Sequence, residues 1–127
     1  MSKFKPARFG NAAVNTVTGE LKIEGATVID SITVTDSATI PADISLVLIA
    51  PAGLGTKTLT LPDIADAPSG HTITFKKSTA ATNTITLIGD VNIDNTASKD
   101  LAIRWQAVTI CSNGTIWNII RYFDGSI

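Results

Sequence analysis

The sequence predicts an all-β domain, built as an antiparallel meander or sandwich or as a small barrel-like sheet, with an extended N-terminal arm. Of the 127 residues, 42 are threonine, isoleucine or valine, whose branched Cβ suits a pleated strand better than a helix. Several segments alternate apolar with small or hydroxylated residues, which is the pattern of a strand with one buried face. Turn residues separate these segments at the spacing typical of an all-β fold.

Three copies of one four-residue pattern form the centre of the predicted sheet. They are Thr58–Leu61, Thr72–Phe75 and Thr84–Leu87, and Ser31–Val34 and Ala107–Ile110 repeat the pattern more loosely. Side chains alternate across a strand, so the apolar residues of each copy face one side and the small or hydroxylated residues face the other. We therefore expect each of these segments to be a strand that buries one face.

Glycine and proline mark the turns between the predicted strands. Pro51–Gly55 ends the apolar run Ile44–Ala50, and a single helical turn is expected near Asp63–Ala67. Asn113-Gly114 is the strongest hairpin signal, because both residue types tolerate the positive φ of a two-residue turn. The last two strands are therefore expected to form a hairpin with a two-residue turn.

The segment 98–108 has two interpretations. Leu101, Trp105 and Val108 would share one face of a helix, whereas Leu101, Ile103 and Trp105 would share one side of a strand. The strand is favoured, because helix signals are otherwise weak along this chain.

Composition divides the chain into an arm over residues 1–13, a region of short strands over 14–50 and a β module over 51–127. The middle region is expected to form a subunit interface or the base that faces a partner. The arm is basic, contains no acidic residue and has no strand period. Its cations and aromatic residues are Lys3, Phe4, Lys5, Arg8 and Phe9.

Apolar residues of the middle region, with one tryptophan near the C-terminus, are candidates for the core or for a subunit interface. The run Ile44–Ala50 is uncharged and β-prone, so it would promote aggregation if it were exposed. Either the domain itself or a neighbouring subunit must cover it. Both alternatives stay open for Val28, Ile32, Val34, Ile44, Leu46, Leu48 and Trp117.

Composition also excludes several function classes. Charged residues make up 17% of the chain and the net charge is −1, which argues against a nucleic-acid-binding protein with a basic face. Low charge instead indicates a surface that meets protein more than water. No apolar run reaches the roughly 20 residues of a membrane helix, and the N-terminus lacks the apolar segment of a secretory signal.

No catalytic, metal or cofactor site is predicted. His71 is the single histidine, and no Ser–His–Asp or Cys–His arrangement has support in the sequence, so we expect no enzyme. Asp90, Asn92 and Asp94 are spaced like the start of a calcium loop, but the glycine and glutamate that such a loop requires are replaced. Cys111 is the only cysteine. We expect it to be a small core residue, since it follows an apolar strand.

The stretch Leu59–Ile120 resembles a module of bacteriophage virion proteins that occurs in tail fibres, tailspikes and head-decoration proteins. In that module a Leu-Pro step precedes a Gly-led strand ending in lysines, an Asn-Thr-Ile strand and a Gly-Thr-x-Trp hairpin. The matching pieces are 58–62, 70–77, 83–89, 108–110 and 112–120. The resemblance implies a trimeric, β-rich structural protein without catalysis.

Among phage proteins, a head-decoration (cement) protein is preferred, because 127 residues with a start methionine leave little room for a shaft and a tip. Such a homotrimer would assemble in the host cytoplasm, bind the head exterior and bridge subunits of the major capsid protein, gaining affinity from joined contacts. The arm would lie along the shell, with its phenylalanines as anchors and its cations facing acidic groups. No nucleic acid, membrane or cofactor is expected. The alternatives are a tail-fibre or baseplate adaptor and a glycan-binding module that uses Trp105 and Trp117.

Overall fold

The computed structural model describes residues 30–125. The arm candidates and Val28 lie outside the described residues. Residues 30–125 form nine strands and one short 3₁₀ turn, so the all-β prediction is confirmed, as is a helical turn after residue 63. The elements are β1 Ser31–Val34, β2 Ala38–Thr39, β3 Leu46–Ile49, β4 Lys57–Thr60, the 3₁₀ turn Ile64–Asp66, β5 Thr72–Lys77, β6 Ile85–Ile93, β7 Thr96–Leu101, β8 Ala107–Ser112 and β9 Trp117–Phe123.

The first six strands alternate between two halves of one sheet, which are termed the first and the second limb. In the first limb β1, β3 and β5 pair in parallel, and in the second limb β2, β4 and β6 pair in parallel. Successive strands therefore lie in different limbs, and each link crosses from one limb to the other. This arrangement, in which strands two apart in the sequence pair in parallel, differs from an antiparallel meander, in which consecutive strands would pair directly.

The C-terminal strands connect the two limbs. β8 pairs antiparallel with both β5 and β9, and β9 meets β6 through the single pair Ile93–Trp117. The strand order β1-β3-β5-β8-β9-β6-β4-β2 gives a nearly closed, barrel-like sheet, with β7 added to β6 as an antiparallel strand. The barrel-like form was one of the predicted alternatives.

Side chains from both limbs fill one core. The predicted alternation is present, since Ile73 and Phe75 of β5 and Ile85 and Leu87 of β6 are fully buried. Full burial of such side chains contributes about 1.5–3 kcal/mol each. Residues 30–49 of the middle region belong to this same sheet and core.

The structure places the described interface-or-core candidates as follows. Val34, Ile44 and Trp117 are buried in the core, and Ile32 is partly buried against it. Leu46 and Leu48 are half-buried, on the opposite face of β3 from its buried residues.

The β8–β9 hairpin has a four-residue link, so the predicted two-residue turn was wrong. Ser112 pairs with Trp117 across the hairpin, and the N–H of Asn113 donates to the carbonyl of Ile116 at 3.1 Å. The Asn113 side chain closes the link, because its Oδ1 accepts the N–H of Ile116 at 2.9 Å. Gly114 supplies the positive φ, at 89°.

Cys111 is half-buried, so its expected place in the core was also wrong. Val108 and Ile110 are buried, and the period of two on β8 continues with buried Ser112. The adjacent Cys111 side chain therefore points to the opposite face of the sheet.

Candidate interaction surface

Exposed large apolar side chains are concentrated in one part of the surface. Of the six in residues 30–125, five belong to the turn after β7 or to the second half of β9, and Leu54 is the exception. The five are Ile103, Trp105, Ile120, Tyr122 and Phe123, with exposed fractions between 36% and 53%. Together with the nearby cations Lys76, Lys99, Arg104 and Arg121 they are termed the C-terminal patch.

The turn after β7 brings Trp105 to the surface. Buried Gln106 closes this turn, because its Oε1 accepts the N–H of Ile103 at 2.9 Å and its own N–H donates to the Ile103 carbonyl at 3.2 Å. Trp105 has a φ of 66°, in the left-handed region that non-glycine residues rarely adopt. The strand expected through Leu101, Ile103 and Trp105 therefore ends at Leu101.

β9 changes the orientation of its side chains at Ile120. Ile110 pairs with Ile119, whereas Thr109 pairs with Arg121, so Ile120 is the extra residue of a β-bulge. Every β9 residue from the bulge onward is exposed. These exposed β9 residues were not candidates in the sequence analysis. The sequence feature that could have identified them is a run of large side chains in which apolar and polar residues do not alternate.

The outer edge of β9 is open over most of its length. Trp117 is its one residue paired with β6, and Asp94 Oδ1 accepts the N–H of Ile119 at 3.0 Å. No other strand of residues 30–125 pairs with this edge. An open strand edge can pair with another chain, and natural proteins commonly protect such edges with charged residues.

Cations lie over the aromatic rings of the C-terminal patch. The Nζ of Lys76 lies 5.7 Å from the ring centroid of Trp105 and 5.2 Å from that of Phe123, and the Nζ of Lys99 lies 4.4 Å from that of Tyr122. Lys76 also donates to the Trp105 carbonyl at 2.5 Å. Each cation–π contact contributes about 0.5–1 kcal/mol at an exposed site. Lys76 therefore links Trp105 and Phe123, and Lys99 forms a separate pair with Tyr122.

A groove of about 290 Å³ lies along the paired ends of β8 and β9. It is lined by residues 107–109 and 121–123, which include two aromatic residues and Arg121. Tyr122 is held in place by a hydrogen bond that Nε2 of Gln106 donates to its hydroxyl. The groove presents both apolar surface and a positive charge.

Charge is distributed unevenly over residues 30–125. Lys57 forms an ion pair with Asp36 at 3.4 Å, Lys77 is buried, and the other four cations belong to the C-terminal patch. Within the described residues those four cations form no ion pair. With the neighbouring Asp100 and Asp124 included, this part of the surface has a net charge of +2, and the remaining described residues have seven aspartates against two lysines.

Three exposed aspartates form a separate group beside the 3₁₀ turn. Asp63 and Asp66 lie in and next to the turn, and Asp90 joins them because its Oδ1 accepts the N–H of Ile64 at 3.1 Å. Asp63, Asp66 and Asp90 are termed the acidic turn.

β8 separates the acidic turn from the C-terminal patch. At the end of β8, Ser112 Oγ donates to the carbonyl of Ala67, the residue after the 3₁₀ turn, at 2.6 Å. At its start, Ala107 pairs with Phe123 of the patch. Five residue steps of about 3.4 Å place the two ends of β8 about 17 Å apart.

Lys77 is a buried cation held by backbone carbonyls. Its Nζ donates to the carbonyl of Asn83 at 2.6 Å and to that of Leu101 at 3.4 Å. Burial lowers the pKa of Lys77, because the charged form loses its hydration. The side chain joins the link before β6 to the end of β7, which supports the base of the turn that carries the patch.

The other polar candidates serve the fold. Trp117 is fully buried and packs edge to face with His71, with centroids 6.3 Å apart, so its ring cannot act as a glycan platform. The carboxylates of Asp90 and Asp94 accept backbone N–H groups. Within residues 30–125 no three His, Cys, Asp or Glu side chains lie close enough together to hold a metal ion. The same residues contain no helix with the length and apolarity to cross a bilayer.

No protein-family model matches this chain, and no curated protein matches it.

Proposed function

We propose that this chain is a structural protein of a bacteriophage particle, a homotrimer that binds the outside of the head and bridges subunits of the major capsid protein. The observation that carries the proposal is the C-terminal patch, which gathers five of the six exposed large apolar side chains of residues 30–125. A concentration of exposed apolar side chains is typical of proteins that function in contact with other proteins. The order of the phage-like sequence motifs supports the virion context.

The outward faces of the strands also support a role in assembly. Many of their positions carry threonine, and the hydroxyls of Thr74 and Thr109 bond to each other across β5 and β8 at 2.8 Å. Hydroxyls that satisfy one another lose little when a partner covers them. We expect such a surface to pack against protein at a smaller cost than a charged one, and we expect no enzymatic activity.

Locating the protein on its particle tests the proposal directly. Immunogold labelling or cryo-electron microscopy of the source phage should show it over the whole shell. Tail-only density would instead identify the tail-fibre or baseplate adaptor. Light scattering should give about three times the 13.3 kDa chain mass, and a monomer at micromolar concentration would contradict the homotrimer.

The proposed role of the basic arm needs its own experiment. Deleting residues 2–9 should abolish binding to expanded capsids while the trimer stays folded, because the deletion removes the three cations and both phenylalanines of the arm. Normal decoration by the truncated protein would show that the arm is not the capsid anchor.

A glycan-binding module is the second candidate function. The observation that favours it is the exposed cluster of Trp105, Tyr122 and Phe123, since aromatic rings are common sugar platforms. A glycan array should then give hits that Phe123→Ser removes, and an array without hits would eliminate this candidate.

A further inference from the structure

We infer that the C-terminal patch binds the acidic turn of a second copy of this chain, in a head-to-tail contact. The inference rests on the proposed function for the chain being an oligomer, and it names the two surfaces that meet. Three features carry it: the charge of the patch, its apolar content, and the position of the acidic turn at the other end of β8.

The net charge of the patch disfavours a two-fold contact of the patch with itself. In an isologous dimer the same surface faces its own copy, so two surfaces that each have a net charge of +2, from four cations and two aspartates, would meet. Like charges placed opposite each other at an interface cost several kcal/mol. The patch therefore favours an acidic surface as its partner, and the acidic turn provides one on the same chain.

The apolar content of the patch would contribute a substantial part of a specific contact. Aromatic side chains bury about 150–250 Å² each, and Trp105, Tyr122 and Phe123 are 36%, 46% and 53% exposed. These three rings therefore offer roughly 200–340 Å² of surface, about a quarter to two fifths of the roughly 800 Å² that each partner buries in a standard interface. Ile103 and Ile120 add to this area.

The acidic turn is positioned to receive the patch of another copy. Asp63 and Asp66 are exposed and form no ion pair within residues 30–125. Because β8 holds the acidic turn about 17 Å from the patch, one copy can use both surfaces at once. A heterologous contact of this kind gives a ring when its rotation closes and an open chain when it does not.

A charge swap tests whether these two surfaces meet. Arg121→Glu and Asp66→Lys should each weaken self-association of the full chain at least about tenfold, because each brings like charges together. The double variant Arg121→Glu/Asp66→Lys should recover to within about threefold of wild type, since the swapped pair is again complementary. Light scattering and sedimentation over a micromolar to submillimolar series measure these dissociation constants.

Matched variants control for net charge and for hydrophobicity. Arg121→Gln and Thr56→Glu both lower the net charge by one, but only the first should weaken association, because Thr56 is an exposed residue outside the patch. Phe123→Ser should weaken association, whereas Leu54→Ser should not, although Leu54 is 93% exposed. Circular dichroism melting checks that each variant is folded, and sodium chloride should weaken the wild-type contact.

The outcomes separate this inference from the proposed function. A discrete trimer that Arg121→Glu dissociates and the double variant restores supports both. Growth of mass with concentration, with the same charge-swap behaviour, supports the head-to-tail contact and contradicts a homotrimer. A wild-type trimer that Arg121→Glu leaves intact, or a double variant without recovery, overturns the inference alone.

Two further results would overturn the inference. One is a wild-type chain that stays monomeric over the whole concentration series. The other is a set of patch variants that lose binding to phage shells without any change in self-association, because the occupant of the patch would then be a different protein.

Discussion

Replacing Lys77 measures what a buried cation contributes to this fold. Lys77→Ala removes three buried methylenes beyond Cβ, which at about 0.8 kcal/mol each amounts to roughly 2.4 kcal/mol. Lys77→Met keeps an apolar stem of similar length, with sulfur in place of one methylene, and removes the ammonium group. The free energy of unfolding of Lys77→Ala should therefore lie about 2 kcal/mol below that of Lys77→Met, before any further cost of the cavity.

Two opposing contributions determine the free energy of unfolding of Lys77→Met relative to the wild type. Removal of the ammonium leaves the Asn83 carbonyl, which accepts from Nζ at 2.6 Å, without this donor. A buried polar group without a hydrogen-bond partner costs about 1–3 kcal/mol. The substitution also removes the cost of burying a charge, which in other proteins has offset losses of this size. We expect a net change at neutral pH within about 2 kcal/mol, equal to a shift in Tm of no more than about 8 °C.

The pH dependence of stability gives the sharper result. Burial lowers the pKa of Lys77 in the folded state below its ordinary value of 10.5, so the unfolded chain binds this proton more tightly. Stability therefore rises with pH between the folded pKa and 10.5. Lys77→Met abolishes this rise, so the free energy of unfolding of wild type relative to the variant should increase as the pH is raised through that window.

Urea unfolding of both proteins at a series of alkaline pH values measures this difference. Lys57→Met is the control, because it removes a partly buried lysine that is paired with the exposed carboxylate of Asp36. Parallel curves for wild type and Lys77→Met would refute the reasoning, since they would mean that the ammonium of Lys77 is hydrated in the folded protein.

Two further predictions concern single hydrogen-bonded groups. Ser112→Ala should lower the free energy of unfolding in urea by about 1–3 kcal/mol, because the buried hydroxyl donates to the carbonyl of Ala67 at 2.6 Å; an unchanged midpoint would contradict that bond. Asp36→Asn should reduce the loss of stability at acid pH. The reason is that the N–H of Ser37, and next the ammonium of Lys57, hold the pKa of Asp36 below 3.8. The contribution of Asp36 is present above that pH and is lost as the pH falls below it, so equal acid unfolding of the two proteins would exclude it.

The strands could be predicted from the sequence because alternation is a local property. Thr72–Phe75 and Thr84–Leu87 read as strands with one apolar side, and their apolar residues are the ones that the core buries. The parallel pairing could not be predicted in the same way. Alternation fixes which face of a strand is buried and does not fix which strand pairs with it.

The links that cross between the limbs are positioned by long-range contacts, which were needed to predict the topology. The glycine-rich segment after β3 reads as a simple turn, but it spans from one limb to the other. The amide of Asn83 holds it in place by donating to the carbonyls of Gly53 and Gly55 at 3.2 and 2.8 Å. A contact across about 30 residues of sequence leaves no local pattern by which it could be recognised.

The C-terminal patch escaped prediction for a related reason. Its orientation depends on the bulge at Ile120, which appears only when the register of β8 and β9 is known. Trp105 likewise reaches the surface because Gln106 is buried and bonded to Ile103. Both features depend on pairing between segments rather than on the period within one segment.

The cations of the patch also determine which surface can cover it. Lys76 and Lys99 shield the aromatic rings in the free chain, and each contact contributes about 0.5–1 kcal/mol. A neutral apolar partner would bury these ammonium groups without a counter-ion, at a cost of several kcal/mol for each. An acidic partner keeps the cations paired while the rings are buried. The same lysines that lie over the aromatic rings therefore select a partner of opposite charge.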